Sequence, residues 1–168
     1  MALSMYAASV PVFTQILNSL TAIIEKTEAH AIDKKIDPNA LLQARLYPDM
    51  LPLIRQFQIA SDFAKGATAR LAGVDVPKYD DTEVTFADLK ARIAKVLAFI
   101  DTLTAAQIDG SEEREISTSA GPNSKTFKGQ HYLVNYALPQ FFFHATTAYA
   151  ILRHNGIELG KKDFMGKV

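Results

Sequence analysis

The sequence contains no cysteine. Disulfides, thiolate zinc sites, iron–sulfur ligation and cysteine nucleophiles are excluded together. A charge surplus is also missing: Lys plus Arg and Asp plus Glu number 18 each, so the formal net charge is zero. Nucleic-acid binding needs a basic excess to displace counterions, and no basic cluster of the kind that grips anionic membranes is present. No nucleic-acid partner and no membrane partner is therefore expected. The opening string MALSMYAASVPVF lacks a basic segment followed by a long apolar run and a small-residue cleavage site, so a cytoplasmic location is expected. Repeats, low-complexity tracts and Pro/Gly/Ser linkers long enough to part domains are absent, and residues 1–168 read as one domain. There is no G-x-S-x-G elbow, P-loop or dinucleotide fingerprint.

What is present is an apolar fraction of 48%, enough for a substantial core. Tyr6, Val10, Phe13, Leu17, Leu20 and Ile24 recur at helical steps and predict a first helix over 4–27, with Ser9 and Pro11 marking a late start or an early kink. The stretch 31–38 reads as a surface connection. Asn39 is a plausible N-cap for 40–46, Tyr47-Pro48-Asp49 breaks the chain, and a long second helix follows over 49–72. Its inner face is Ile54, Phe57, Ser61, Ala64, Thr68 and Leu71; Arg55, Asp62 and Ala69 lie off that face, and Gly73 stops it. Thr85 and Asp88 form an approximate capping box before the stripe Phe86, Leu89, Ile93, Val96, Leu97 and Ile100. Residues 111–129 suggest an exposed β-hairpin or extended excursion around Ala120-Gly121-Pro122-Asn123. The fourth helix, 130–154, is apolar on nearly all sides and is expected to be the most buried. Asn135, Pro139, Gln140, His144, Thr146 and Thr147 interrupt it, which argues for a core helix rather than a membrane span. The tail should pack back through Phe164. These elements predict an all-α fold, a four-helix bundle with a short excursion between helices three and four.

Bundle sites are built from inward polar side chains. His144, inside Phe141-Phe142-Phe143-His144-Ala145, is the leading candidate: a core histidine bonded to a neighbour, a ligand, or a general acid or base. Gln140 lies one turn earlier on the same side, and Pro139 should kink the helix and open a gap there. Gln58 lies at the border of the second helix's apolar face. The positions four residues from His144 are Gln140 and Ala148, neither a good metal ligand. His30, His131 and His154 are expected at the surface. Asp62 with Lys65, and Arg45 with Asp49, read as helix-surface ion pairs, and the run Asp80-Asp81-Thr82-Glu83 as a complement to a helix N-terminus.

Three groups of strings carry a resemblance: Ala44-Arg45-Leu46-Tyr47-Pro48-Asp49-Met50; Gln56-Phe57-Gln58-Ile59-Ala60-Ser61-Asp62-Phe63-Ala64-Lys65; and Leu138-Pro139-Gln140-Phe141-Phe142-Phe143-His144 through Tyr149 to Gly156 and Gly160-Lys161-Lys162-Asp163-Phe164. In that order the chain resembles the domain-of-unknown-function family DUF1993 of the DinB-like (YfiT-like) four-helix-bundle superfamily. Many superfamily members hold a divalent metal with three histidines, some are thiol-dependent transferases or hydrolases, and many are homodimers. The resemblance places His144, twelve residues before Gly156, at the last helix-four ligand. It places Gln140 at the first and Gln58 approximately at the helix-two ligand, so amides replace two of three imidazoles. No metal and no cofactor is expected. The leading expectation is a small pocket near Gln58, Gln140 and His144, with Tyr149 among its ligand-binding residues, used for binding a small molecule or inherited without a current catalytic role. The alternatives are a metal-independent isomerase, lyase or transferase using His144 as its catalytic acid or base, in a largely apolar pocket lined by Phe141 to Phe143 and Tyr149, and a structural homodimer joined through helix faces.

Overall fold

The computed structural model describes residues 3–118 and 122–167. Four long helices form the bundle: α1 (Val10–Lys34), α3 (Leu53–Ala72), α4 (Phe86–Asp101) and α7 (Leu138–His154). Between them lie the short helices α2 (Pro38–Leu42) and α5 (Ala105–Ile108), and a hairpin of β1 (Glu115–Ser117) and β2 (Thr126–Lys128). Helix α6 (Gly129–Tyr132) and a π-helical turn (Leu133–Ala137) lead into α7, and α8 (Lys161–Met165) closes the chain. The strands are antiparallel with Ile116 opposite Phe127, so the expected excursion is a hairpin. Residues 119–121, including Ala120 and Gly121 of its expected turn, lie outside the described residues.

Helix starts and stops depart from expectation for local reasons. Helix α1 starts late, at Val10 with Pro11 in its first turn, and runs to Lys34, so the first half of the expected connection is helix. It stops where Lys35 takes a left-handed conformation at φ 54° and its N–H bonds back to the Ile32 carbonyl. Asp37, not Asn39, caps α2, its carboxylate accepting from the Asn39 N–H at 2.9 Å. Helix α3 begins four residues later than expected because Pro52 occupies its N-cap and the residue before a proline is held extended. Gly73, at φ 71°, ends it. The Thr85–Asp88 box forms in both directions, at 3.1 and 2.9 Å.

The core lies where α3 packs between α4 and α7, with α1 across α4 and α7. Phe13, Leu17, Leu20, Phe57, Leu71, Leu89, Ile93 and Phe141 are sealed from solvent, and Phe13 meets Phe141 edge-on at 4.9 Å. The expected inner face of α3 is buried throughout, but so are its flanks, one carrying Gln56 toward α7 and the other carrying Gln58 and Lys65 on the α4 side. Fifteen of its twenty residues are buried against seven of seventeen in α7, so α3, not the last helix, is the most enclosed. Phe143 on α7 stands 57% exposed. The large apolar residues of α1 are buried or half-buried apart from Ile32, whereas Ala22 and Ala29 are exposed. Phe164 packs back as expected, edge-on to Tyr149 at 5.9 Å. No helix among the described residues is long and apolar enough to cross a membrane.

Candidate functional site

His144 faces α3 from the middle of α7 and is buried. Its Nδ1 lies 2.7 Å from Oε1 of Gln56. The Gln56 amide nitrogen donates to the Leu51 carbonyl at 2.9 Å, which turns Oε1 toward the ring. Nδ1 therefore carries the proton and donates, leaving Nε2 with a lone pair and no partner among the described residues. Burial pushes the imidazole below its ordinary range, so the ring is neutral at pH 7. Phe63 stacks on it, centroids 6.2 Å apart and planes 14° from parallel. Gln56 and Phe63 are seven residues apart on α3, hence on one face. Ala60 lies between them, and its small side chain lets α7 come close.

The other expected site residues go elsewhere. Gln58, two residues after Gln56, is turned to the α4 side of the helix. Its Oε1 accepts from Arg55 and its amide donates to Glu83, both at 2.7 Å. Gln140 is half-buried and lines a separate cleft of about 230 Å³ with Asn135, Tyr136, Pro139 and Phe143. It makes no hydrogen bond to His144 among the described residues. Tyr149 packs on Phe164 rather than near the imidazole. Phe141 belongs to the core, whereas Phe142 and Phe143 line an outer groove with Leu46. The π-helical turn, Leu133–Ala137, ends just before Pro139, which sits in the first turn of α7 where its missing N–H costs least. Such turns recur at functional sites. His131 and His154 are exposed as expected; His30 is half-buried.

A cleft of about 210 Å³ opens beside Phe63, walled by Asp62, Phe63, Arg70, Thr118, Tyr132 and Tyr136. Its far wall is set by Gly129, where a Cβ would overlap the Ser111 carbonyl; the absence of one lets the hairpin turn directly into α6. The one-turn spacing of Tyr132 and Tyr136 then stacks their rings at 5.9 Å, and Phe63 meets Tyr136 at 6.0 Å. Arg70 donates to the Tyr132 hydroxyl at 3.2 Å and to the Thr118 carbonyl at 2.9 Å. Burial raises the Tyr132 phenol above its ordinary range, against the lowering effect of Arg70's charge and hydrogen bond. Phe63 thus belongs both to the imidazole's surroundings and to the cleft.

Asp62 is not half of a surface pair. It accepts from Lys65 at 2.8 Å and from Arg92 at 2.9 Å, and both cations are buried. Arg92 also reaches Asp81 at 3.1 Å and Glu83 at 2.9 Å, and Arg55 pairs with Asp81 at 2.5 Å. The acidic run therefore clamps its loop to α3 and α4 rather than serving a helix N-terminus. Burial alone would raise the Asp81 carboxyl, but Arg55's hydrogen bond and the charges of Arg55, Arg92 and Lys65 hold it below its usual range. Arg45 bonds the Met50 carbonyl at 3.1 Å and forms no ion pair with Asp49 among the described residues.

One imidazole, one carboxamide and one phenyl ring do not fit a three-imidazole metal site. Among the described residues no group of three or more His, Asp or Glu side chains converges as ion ligands.

The profile of DUF1993, a domain of unknown function, matches residues 5–165. No curated protein matches the chain. A crystal structure of a DinB family member protein from Shewanella denitrificans is similar at 42% identity and a TM-score of 0.91, over 97% of this chain and 92% of that one. The chain belongs to the DUF1993 family, and its fold is that of the DinB-like four-helix bundles.

Proposed function

We propose that this chain binds a small molecule in the cleft beside His144 and does so without a resident transition metal. The observation that carries the reading is Phe63, one ring that both stacks on the buried imidazole and walls the Asp62–Arg70–Tyr132–Tyr136 cleft. Flat aromatic walls with a few convergent polar groups are the usual make-up of a ligand site. A cleft of about 210 Å³ suits a ligand of roughly one ring. The neutral imidazole, held by Gln56, supports Phe63 from behind. Protein-observed NMR with a set of one-ring fragments tests this. Bound fragments should shift the amides of Phe63, Arg70, Tyr132 and Tyr136; fragments that shift only residues elsewhere, or none, overturn it.

A second reading makes His144 a general base, and the free Nε2 lone pair favours it. Diethyl pyrocarbonate at neutral pH should then modify His144 in the native chain. A fully protected ring removes the reading.

A further inference from the structure

We infer that the ligand of this cleft is a small planar carboxylate, received jointly by Arg70 and Tyr132. The inference rests on the small-molecule reading above and names its ligand class. Asp62, the carboxylate in the wall, is already neutralised by Lys65 and Arg92. Arg70, in the same wall, forms no ion pair with any Asp or Glu among the described residues; its partners are a carbonyl and a phenol. Lys125 does not line the cleft but lies 5.6 Å over the ring of Tyr136, which does. The wall therefore carries the charge of Arg70, which has no carboxylate of its own, within a chain of zero net charge, and it selects an anion.

Arg70 uses two of its five N–H groups internally, which leaves three. Tyr132 accepts from Arg70, so its own proton has no acceptor among the described residues, and burial keeps that proton on the oxygen. A guanidinium fork and a phenol proton side by side match the two oxygens of one carboxylate. Phe63 and Tyr136 supply flat walls for a planar body.

Gly66 lies inside α3, where glycine costs stability relative to alanine. A Cβ there would come within 2.6 Å of Arg70 Nη1, and the only other atom it would approach is Arg70 Cζ. The missing side chain makes room for the guanidinium alone. Gly66 is thus a positioning residue that lets Arg70 lie back along the helix and aim into the cleft.

The test is an NMR titration of the full chain with benzoate and, separately, its neutral isostere benzamide. Benzoate should shift Phe63, Thr118, Tyr132 and Tyr136 saturably, and benzamide should bind at least about tenfold more weakly. Arg70→Met should bring benzoate to the benzamide level. Gly66→Ala should weaken benzoate but not benzamide, with a melting temperature unchanged or higher. Equal binding of the two probes at these residues, or benzoate binding untouched by Arg70→Met, overturns the carboxylate assignment and leaves the cleft standing. Failure of both probes to shift the cleft residues overturns both readings.

Discussion

The Gln56 carboxamide and the His144 imidazole, 88 residues apart in sequence, meet at 2.7 Å between α3 and α7. Both are buried; the imidazole is held by the carboxamide, and the carboxamide also by the Leu51 carbonyl. Gln56→Ala orphans a buried N–H and should lower stability by about 1–3 kcal/mol. Gln56→Leu should cost a similar amount despite keeping the volume, because the lost acceptor matters more than the lost contact. Urea denaturation checks both: the midpoint should fall with an unchanged slope.

Stability should depend on this imidazole in mildly acidic solution. Its folded pKa is depressed by burial, whereas the unfolded ring takes a proton near about pH 6.5. Below that pH the unfolded state binds more protons, so stability should be full above about pH 7 and fall as pH drops through the ordinary histidine range, until the folded ring also protonates. His144→Gln should remove this slope. Asp81 and Asp88, held below their usual range, add acid sensitivity only at lower pH, where protonation of the unfolded carboxyls begins. Melts of both proteins between pH 5 and 7.5 isolate the imidazole's share; parallel curves would refute it.

Arg92 holds Asp62, Asp81 and Glu83 from inside the bundle. Arg92→Met leaves these carboxylates facing one another and should cost about 2–4 kcal/mol, less than a fully buried pair because Asp62 and Asp81 are partly solvated. Arg92→Lys should recover only part, since an ammonium lacks the fork that spans three acceptors. Hydrogen exchange should show the 80–83 loop opening first in both variants.

The fold was legible in the sequence because its helices carry strong apolar periodicity and clear punctuation, as at Thr85, Asp88 and Gly73. The site was legible in part. His144 stands out as a lone imidazole in an apolar run, but its partner does not. Gln56 lies on a buried flank of α3, and a one-face reading of that helix leads to Gln58 instead. The signal was there in Gln56, Ala60 and Phe63 at helical spacing. The ion network was hidden for another reason: its members come from α3, the 80–83 loop and α4, and their charges cancel in the composition. The last helix was expected to be the most buried because its composition is apolar, yet composition without a stripe does not say which side faces water, as Phe143 shows.

Whether the His144 imidazole is held by the Gln56 carboxamide, as proposed, or by a metal is read from ¹⁵N NMR of the histidine side chains in the full chain. At pH 7, with EDTA or with one equivalent of zinc, His144 should give the same spectrum: neutral, protonated at Nδ1, with Nε2 bearing a lone pair. A ring found as imidazolium, or an Nε2 signal moved by stoichiometric zinc, would contradict the account.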